Sequence, residues 1–356
     1  MTSDRDLGQT QSMDVVANSA QRWGASTVYY ASPGLRSRLQ AFGYARSFQA
    51  RILYTNSFFD PVYSLLPLAL WRIGLIRSQR FVVAPRGEFG PGALNIKRVK
   101  KKLFLGAFLL FRGGRGVLWH ASSIQEAENI RAQIGRSAQI VVAEDNTALP
   151  MTAAEPSSPR PSLRAVVMGR MVPVKGVVEL LRALAGVSHP LTVDIYGPEE
   201  DREYAAKCRD LAAELPAHIA INFRGPVPSA EVAPTLRTYD VMFLPTHGEN
   251  FSHVVAEALS VSLPVMCADV TPWSSYIADG GGVLIKENKI GPWTEAIERY
   301  ASLPAPSRLS YRYDAGKQYE RWRASTAGQS HVFDLIMKTS PNLHESAVTS
   351  VNRVEY

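Results

Sequence analysis

The chain has 356 residues, 46% of them hydrophobic and 20% charged. That is room for two ordinary domains or one large one, and a globular balance that excludes collagen-like, coiled-coil and wholly disordered classes. Its two cysteines, Cys208 and Cys267, cannot build a disulfide framework or a four-cysteine zinc site, and the formal charge of +7 divides unevenly, with 19 Lys and Arg against 9 Asp and Glu in residues 1–150 and 20 against 23 in residues 151–356. A basic first lobe is therefore expected to face an anionic surface or ligand.

In chain order, residues 1–25 read as a loosely ordered polar arm without the apolar core of a signal peptide, so the cytoplasm is the expected compartment. The arm holds an Asp4-x-Asp6 pair. Such a pair binds a metal-bound diphosphate only at a strand end inside a pocket, and here it reads as a solvated tail. From residue 26 to 150, β-branched runs (Ala50–Tyr54, Phe81–Ala84, Gly116–His120) alternate with helical stretches (Leu65–Ile76, Ala93–Phe111, Ile124–Ile134). This alternation predicts an α/β fold with a parallel sheet. Within it, the segment from Leu94 to Phe111 sets Lys97, Arg98, Lys100, Lys101 and Lys102 before and among Phe104, Phe108 and Phe111. It is too short to span a bilayer. Two readings fit it equally: an interfacial helix on an anionic leaflet, or a core helix with lysines on its solvated face.

Residues 151–162 follow Pro150 with three more prolines and three serines, the expected linker between lobes. Residues 163–339 alternate more cleanly, with strands predicted at 163–168, 191–196, 219–223, 241–245 and 264–268, a second doubly wound domain. Residues 340–356 form a polar tail.

Two segments of the second domain carry chemistry. Val166-Val-Met-Gly-Arg-Met-Val-Pro-Val-Lys-Gly176 places Gly169, Arg170 and Lys175 at the carboxyl end of a buried strand, before a helix that opens at Gly176. Cations beside a helix N-terminus suit a diphosphate, although solvated loop charges give the same pattern. Leu244-Pro-Thr-His-Gly-Glu-Asn-Phe-Ser-His253 runs from a strand into a loop with Glu249 and then a helix containing Glu257, with Asn250 or Ser252 placed to cap it. Carboxylates beside exposed amides suit a polyhydroxyl ligand. Either glutamate taken alone is equally an ordinary residue of a capped helix.

Together these segments resemble the retaining GT-B glycosyltransferases of family 4, also called glycosyl transferases group 1. Further marks are Asp194-Ile-Tyr-Gly-Pro198, Phe223-Arg-Gly-Pro-Val227, and the seven residues between Glu249 and Glu257. In the first lobe, Ala84-Pro-Arg-Gly-Glu88 with the lysine cluster, and Trp119-His-Ala-Ser-Ser123, look like bacterial polysaccharide-type members. The resemblance implies two Rossmann-like domains facing across a cleft, the first (26–150) on the acceptor side and shortened by its opening β/α units, the second binding a nucleotide sugar. It implies that Arg170 and Lys175 grip the donor diphosphate beside Gly169, that Glu249 holds the donor sugar and Glu257 the ribose, and that the amides of Asn250, Phe251 and Ser252 face sugar and phosphate. His120 would approach the donor from the other lobe, and Arg86 and Gly87 would contact acceptor or phosphate. The implied activity is transfer of a hexose, with retention, to a glycan or lipid-linked acceptor in cell-surface polysaccharide biosynthesis, without metal or other cofactor and peripheral to the inner membrane face. The other reading is a donor-binding or assembly protein with impaired catalysis. Nucleic-acid binding fits poorly, because the cations are mixed with Phe and Leu and no recognition motif appears.

Overall fold

In the computed structural model, which describes residues 1–5, 12–95, 98–110, 114–145, 148–160 and 162–339, the chain divides into two units. The first comprises Met1–Phe89, Lys97–Ala143 and Val332–Tyr356, and the second Gly90–Ile96 and Glu144–His331. Asp6, Lys97, Phe111, Asn146 and the tail 340–356 lie outside the described residues.

The first unit holds two sheets. The expected polar arm instead contributes strands β1 (Thr2–Ser3) and β2 (Ala20–Trp23), which flank β3 (Ser26–Ala31) in the order β1-β3-β2. The reason is local: Ser-Thr-Val-Tyr-Tyr-Ala is rich in β-formers, and Gly24 supplies the positive φ of the turn before it. Tyr29 stacks on Tyr44 of the helix Leu35–Arg46, and Asp4, 3% exposed, accepts a bond from Ser32 Oγ at 2.9 Å. Asp4 is thus a buried structural carboxylate and not part of a solvated tail.

The main sheet of this unit is parallel, in the order β4-β5-β6-β7: β4 (Ala50–Asn56), β5 (Ser78–Ala84), β6 (Val117–Ala121) and β7 (Gln139–Val142). Every residue of β6 is buried, as expected of a strand covered on both faces. The helix Val332–Lys338 returns to this unit and packs Ile336 against Val82, Leu118 and Val141, so the second domain ends before it and not at residue 339.

The second unit is built on one parallel sheet in the order β10-β9-β8-β11-β12-β13: β8 (Leu163–Met168), β9 (Leu191–Tyr196), β10 (Ile219–Gly225), β11 (Val241–Leu244), β12 (Val265–Ala268) and β13 (Gly282–Ile285). Renumbered within the unit this is 3-2-1-4-5-6, the doubly wound order whose direction reverses between β8 and β11. Ligand crevices of open α/β sheets form at that reversal. The proline-rich stretch expected as a linker runs along this unit: Ala154 N donates to Ser260 O at 2.8 Å, Ser262 Oγ to Ala154 O at 2.6 Å and Ser157 Oγ to Arg237 O at 3.1 Å. Chain that cannot bond itself as helix or sheet finds partners on its neighbour. The crossover therefore lies at Ala143–Glu144, ahead of the prolines.

Candidate active site

The loops after β8 and β11 meet at the sheet reversal, and glycine makes the approach possible. Gly176 has φ +68°, and a Cβ there would lie 2.1 Å from Pro245 O. His247 N and Thr246 Oγ1 both donate to Val174 O, at 2.8 and 3.1 Å, tying the two loops together. Asn288 anchors the second loop by donating to Thr246 O at 3.0 Å, while its Oδ1 accepts from Trp293 Nε1 at 2.8 Å. On the other side, Gly197 has φ +145°, and a Cβ would come within 1.8 Å of Gly169 O. The carboxyl ends of β8 and β9 are thereby held edge to edge.

This scaffold brings one expected cation and one expected carboxylate of the second unit together. Lys175 Nζ lies 2.6 Å from Glu249 Oε1, with side-chain exposures of 20% and 9%. Arg170 Nη1 bonds Glu200 Oε2 at 2.7 Å in a more open setting. Glu200, in the Gly-Pro-Glu-Glu turn after β9, carries no motif that reveals the role in sequence. The helix His253–Ser260 follows, and its cap differs from expectation. Ser252 occupies the N-cap position with φ +63°, but its side chain caps nothing. Ser252 Oγ and Asn250 Oδ1 are buried and have no hydrogen-bond partner among the described residues. Phe251 is an anchor, with its ring against Trp273 and Trp322 and its carbonyl accepting from Trp273 Nε1 at 2.6 Å.

Glu257 stands one turn beyond His253. Burial pushes its carboxyl above the ordinary value, and the nearby His253 pulls it partly back. His253 Nε2 in turn lies 3.5 Å from Asp145 Oδ2. Beneath the site, Asp194 of β9 is a buried hub that accepts from Tyr239 Oη at 2.6 Å, Asn222 Nδ2 at 2.7 Å and Arg164 Nη2 at 3.1 Å. Burial alone would raise its carboxyl; these bonds and the Arg224 charge outweigh it and hold the group below the ordinary value. Asp194 therefore acts in the fold, not on a ligand. Among the described residues, no three His, Cys, Asp or Glu side chains gather as a metal site.

In the first unit, Arg86 and Gly87 sit on the loop after β5. Two carboxylates missed at the sequence level hold it. Glu126, 3% exposed, accepts from Gly87 N at 2.7 Å and from Ser122 N and Oγ at 2.8 and 2.9 Å. Ser123-x-x-Glu126 has the pattern of a capping box, and Ser123 does cap the helix Ile124–Ile134, yet the glutamate is turned toward the Gly87 loop. Glu88 accepts from Ser57 Oγ at 2.7 Å and Phe59 N at 3.1 Å. His120, expected to approach a donor, is 2% exposed, with Nδ1 on Tyr54 Oη and Nε2 2.8 Å from Ala143 O. Its ring nitrogens are engaged within the first unit, the arrangement of a structural histidine.

Residues 154–318 match the family model described as glycosyl transferases group 1. Over 155 residues the chain is 33% identical to the D-inositol 3-phosphate glycosyltransferase of Gordonia bronchialis, covering 40% of this chain and 33% of that protein. It is 31% identical over 136 residues to the putative teichuronic acid biosynthesis glycosyltransferase TuaC of Bacillus subtilis, covering 38% of this chain and 32% of that one. The chain thus spans about a third of the length of these curated relatives. Among solved structures, it resembles the sucrose-phosphate synthase of Thermosynechococcus elongatus (TM-score 0.64, 17% identity, 84% of this chain and 76% of that one). It also resembles Anabaena HepE in complex with UDP and glucose (TM-score 0.63, 15% identity, 82% and 80%). At these identities the likeness establishes the fold, which is GT-B. Within that α/β fold, residues 154–318 are the part of the chain that resembles the glycosyl transferases group 1 family.

Proposed function

We propose that the protein transfers a hexose from a nucleotide sugar to a glycan or lipid-linked acceptor, with retention of anomeric configuration, in cell-surface polysaccharide biosynthesis. The observation that carries this reading is the loop 249–252 at the sheet reversal. There a largely buried carboxylate–ammonium pair belongs to the same loops as two buried polar atoms, Asn250 Oδ1 and Ser252 Oγ, that have no partner among the described residues. Orphaned buried polar groups are costly, and a ligand rich in hydroxyl and phosphate oxygens supplies what they lack. That Anabaena HepE was solved with UDP-glucose supports the donor class.

On this reading, rupture of the sugar–phosphate bond leaves charge on the diphosphate, and Lys175, Arg170 and the amides of Asn250, Phe251 and Ser252 are preorganised to stabilise it. Glu249 stabilises the positive character at the anomeric carbon, and Glu257 receives the ribose diol. No residue is assigned as general base, since in a front-side attack the leaving phosphate takes the acceptor proton. No metal or other cofactor is required.

The helix Arg98–Leu110 supports a membrane location for the acceptor. Its inner face buries Leu105 and packs Phe104 and Phe108 against Phe58. Its outer face exposes Val99, Leu103 and Leu110, flanked by Lys100 and Lys102. The core reading thus fits one face and the interfacial reading suits the other, although Lys101 is not on the outer one: its Nζ lies over the Phe59 ring at 4.8 Å. An apolar stripe between cations suits the anionic cytoplasmic face of the plasma membrane. No helix among the described residues is long and apolar enough to cross a bilayer.

The test is incubation with UDP-, GDP- and ADP-sugars and a lipid-linked acceptor, following product and anomeric configuration by NMR. Transfer with retention is expected. Donor binding without hydrolysis or transfer would favour a donor-binding or assembly protein, and no binding of any of the three would overturn the reading.

A further inference from the structure

Three acidic residues in a row, Glu199, Glu200 and Asp201, follow β9, and two of them have partners that belong to the fold alone. Glu199 accepts from Arg209 Nη1 at 3.1 Å, and Asp201 caps the helix Arg202–Ala213 by accepting from Tyr204 N at 3.0 Å. Glu200 turns instead to the loop after β8, where its Oε2 lies 2.7 Å from Arg170 Nη1. Backbone geometry sets this contact. Met171 N donates to Pro198 O at 2.9 Å and Asp201 N to Met171 O at 3.3 Å, so the loop after β8 and the turn after β9 are zipped together around the ion pair.

A guanidinium carries five N–H donors in a planar fork, and Glu200 takes one of them at Nη1. The Nε and Nη2 hydrogens have no partner among the described residues, so Arg170 can meet a phosphate on its other edge without releasing Glu200. A carboxylate kept one guanidinium away from a diphosphate repels each negative charge on it, and repels a doubly charged phosphate more than a singly charged one. That is the difference between substrate and product. A nucleotide sugar carries one negative charge on each phosphate. Once the sugar has left, the terminal phosphate gains a second charge, because the proton it takes from the acceptor hydroxyl passes to water above a second pKa of about 6.

We propose that Glu200 is a specificity-determining residue: the charge it holds against Arg170 weakens the nucleoside diphosphate product more than the nucleotide sugar and so favours product release. This rests on the reading of the chain as a nucleotide-sugar transferase. The side-chain exposures of 48% for Arg170 and 26% for Glu200 agree with a role in binding, since so open an ion pair adds little to stability.

Glu200→Gln keeps the size of the side chain and its capacity to accept a hydrogen bond, and removes only the charge. Calorimetry at low salt on the full-length wild type and variant compares UDP with UDP-glucose, and in parallel GDP and ADP with their glucose derivatives. In the variant the nucleoside diphosphate should gain about threefold to tenfold in affinity relative to its sugar derivative, and the gain should shrink as salt is added. Glu199→Gln removes an equal charge from the same turn, but one that faces Arg209, and should leave that ratio unchanged. Equal tightening of both ligands in Glu200→Gln, no tightening of either, or the same change of ratio in Glu199→Gln would overturn the proposal while leaving the donor site standing. Binding of neither member of any of the three pairs by the wild type would overturn the transferase reading and this proposal with it.

Discussion

Lys175 and Glu249, expected to hold different parts of one ligand, hold each other: Nζ and Oε1 are 2.6 Å apart, with both side chains largely buried. A diphosphate that takes Lys175 must therefore loosen its hold on Glu249, and the carboxylate then turns to a sugar hydroxyl. On the proposed function, donor binding is an exchange of partners, not the filling of an inert pocket.

Lys175→Ala should accordingly have two effects. Diphosphate binding weakens by about 1.5–3 kcal/mol through loss of a charge-assisted contact. Stability also falls, because the Glu249 charge is left buried without its counter-ion. Adding Glu249→Ala should recover part of that stability and none of the binding. Calorimetry with nucleotide diphosphates and urea denaturation of the single and double variants measure the two effects separately, and full additivity in stability would show that the pair is not coupled.

Glu249→Gln should keep nucleotide affinity while lowering turnover roughly a hundredfold, as charge at this site matters most when positive character develops in the transition state. The effect is read as kcat against donor KM. The same assay with EDTA should show no loss, and a strict metal requirement would contradict the proposed mechanism.

Glu257 carries a cost that its removal should expose. A carboxyl raised in the folded state favours the fold below its unfolded value, and the advantage is lost as pH rises through the folded one. Glu257→Gln should thus gain stability relative to wild type as pH is raised from about 4 to 7, while donor affinity falls. Thermal melts across that range, paired with donor titrations, check both signs; a destabilised variant at pH 7 would mean that the carboxylate is held by contacts that favour its charged form.

At Gly176 no side chain can relieve the strain, because the atom a Cβ would meet is the backbone oxygen of Pro245. Gly176→Ala should cost about 2–3 kcal/mol or more, from the positive φ and the forced separation of the two loops. Donor binding should weaken further than the stability loss alone requires, since the loops carry Lys175 and Glu249. Denaturant midpoints and calorimetry on the folded variant are the measurements.

The two faces of the helix Arg98–Leu110 should respond oppositely. Leu105→Ala removes core and should destabilise by about 2–4 kcal/mol. Leu103→Ser with Leu110→Ser should leave stability nearly unchanged and reduce sedimentation with anionic liposomes, as should Lys100→Gln with Lys102→Gln. Equal binding to neutral and anionic vesicles would remove the electrostatic part of the membrane assignment.

Much of the second unit was legible in sequence, because each of its parts is a local signal. Buried parallel strands read as continuous apolar runs such as Leu163–Met168, and Gly176 and the Glu249–Glu257 spacing lie within single strand–loop–helix segments. Other features depended on partners distant in the chain. Tyr54 and His120 are 66 residues apart and Gly87 and Glu126 are 39 apart, so neither pairing leaves a pattern in the sequence between them. One oxygen of Glu126 reaches the Gly87 amide while the other stays at Ser122 beside its own helix, since a buried carboxylate needs donors for both oxygens. The N-terminal stretch read as an arm since its strands are short and polar, and only pairing of β1 and β2 with β3 satisfies them. Sequence by itself determined the alternation of strand and helix and the residue types at the strand ends. Tertiary structure decided which of those residues face one another, since hydrogen bonds and ion pairs depend on ångström distances that the packing of the sheets alone sets.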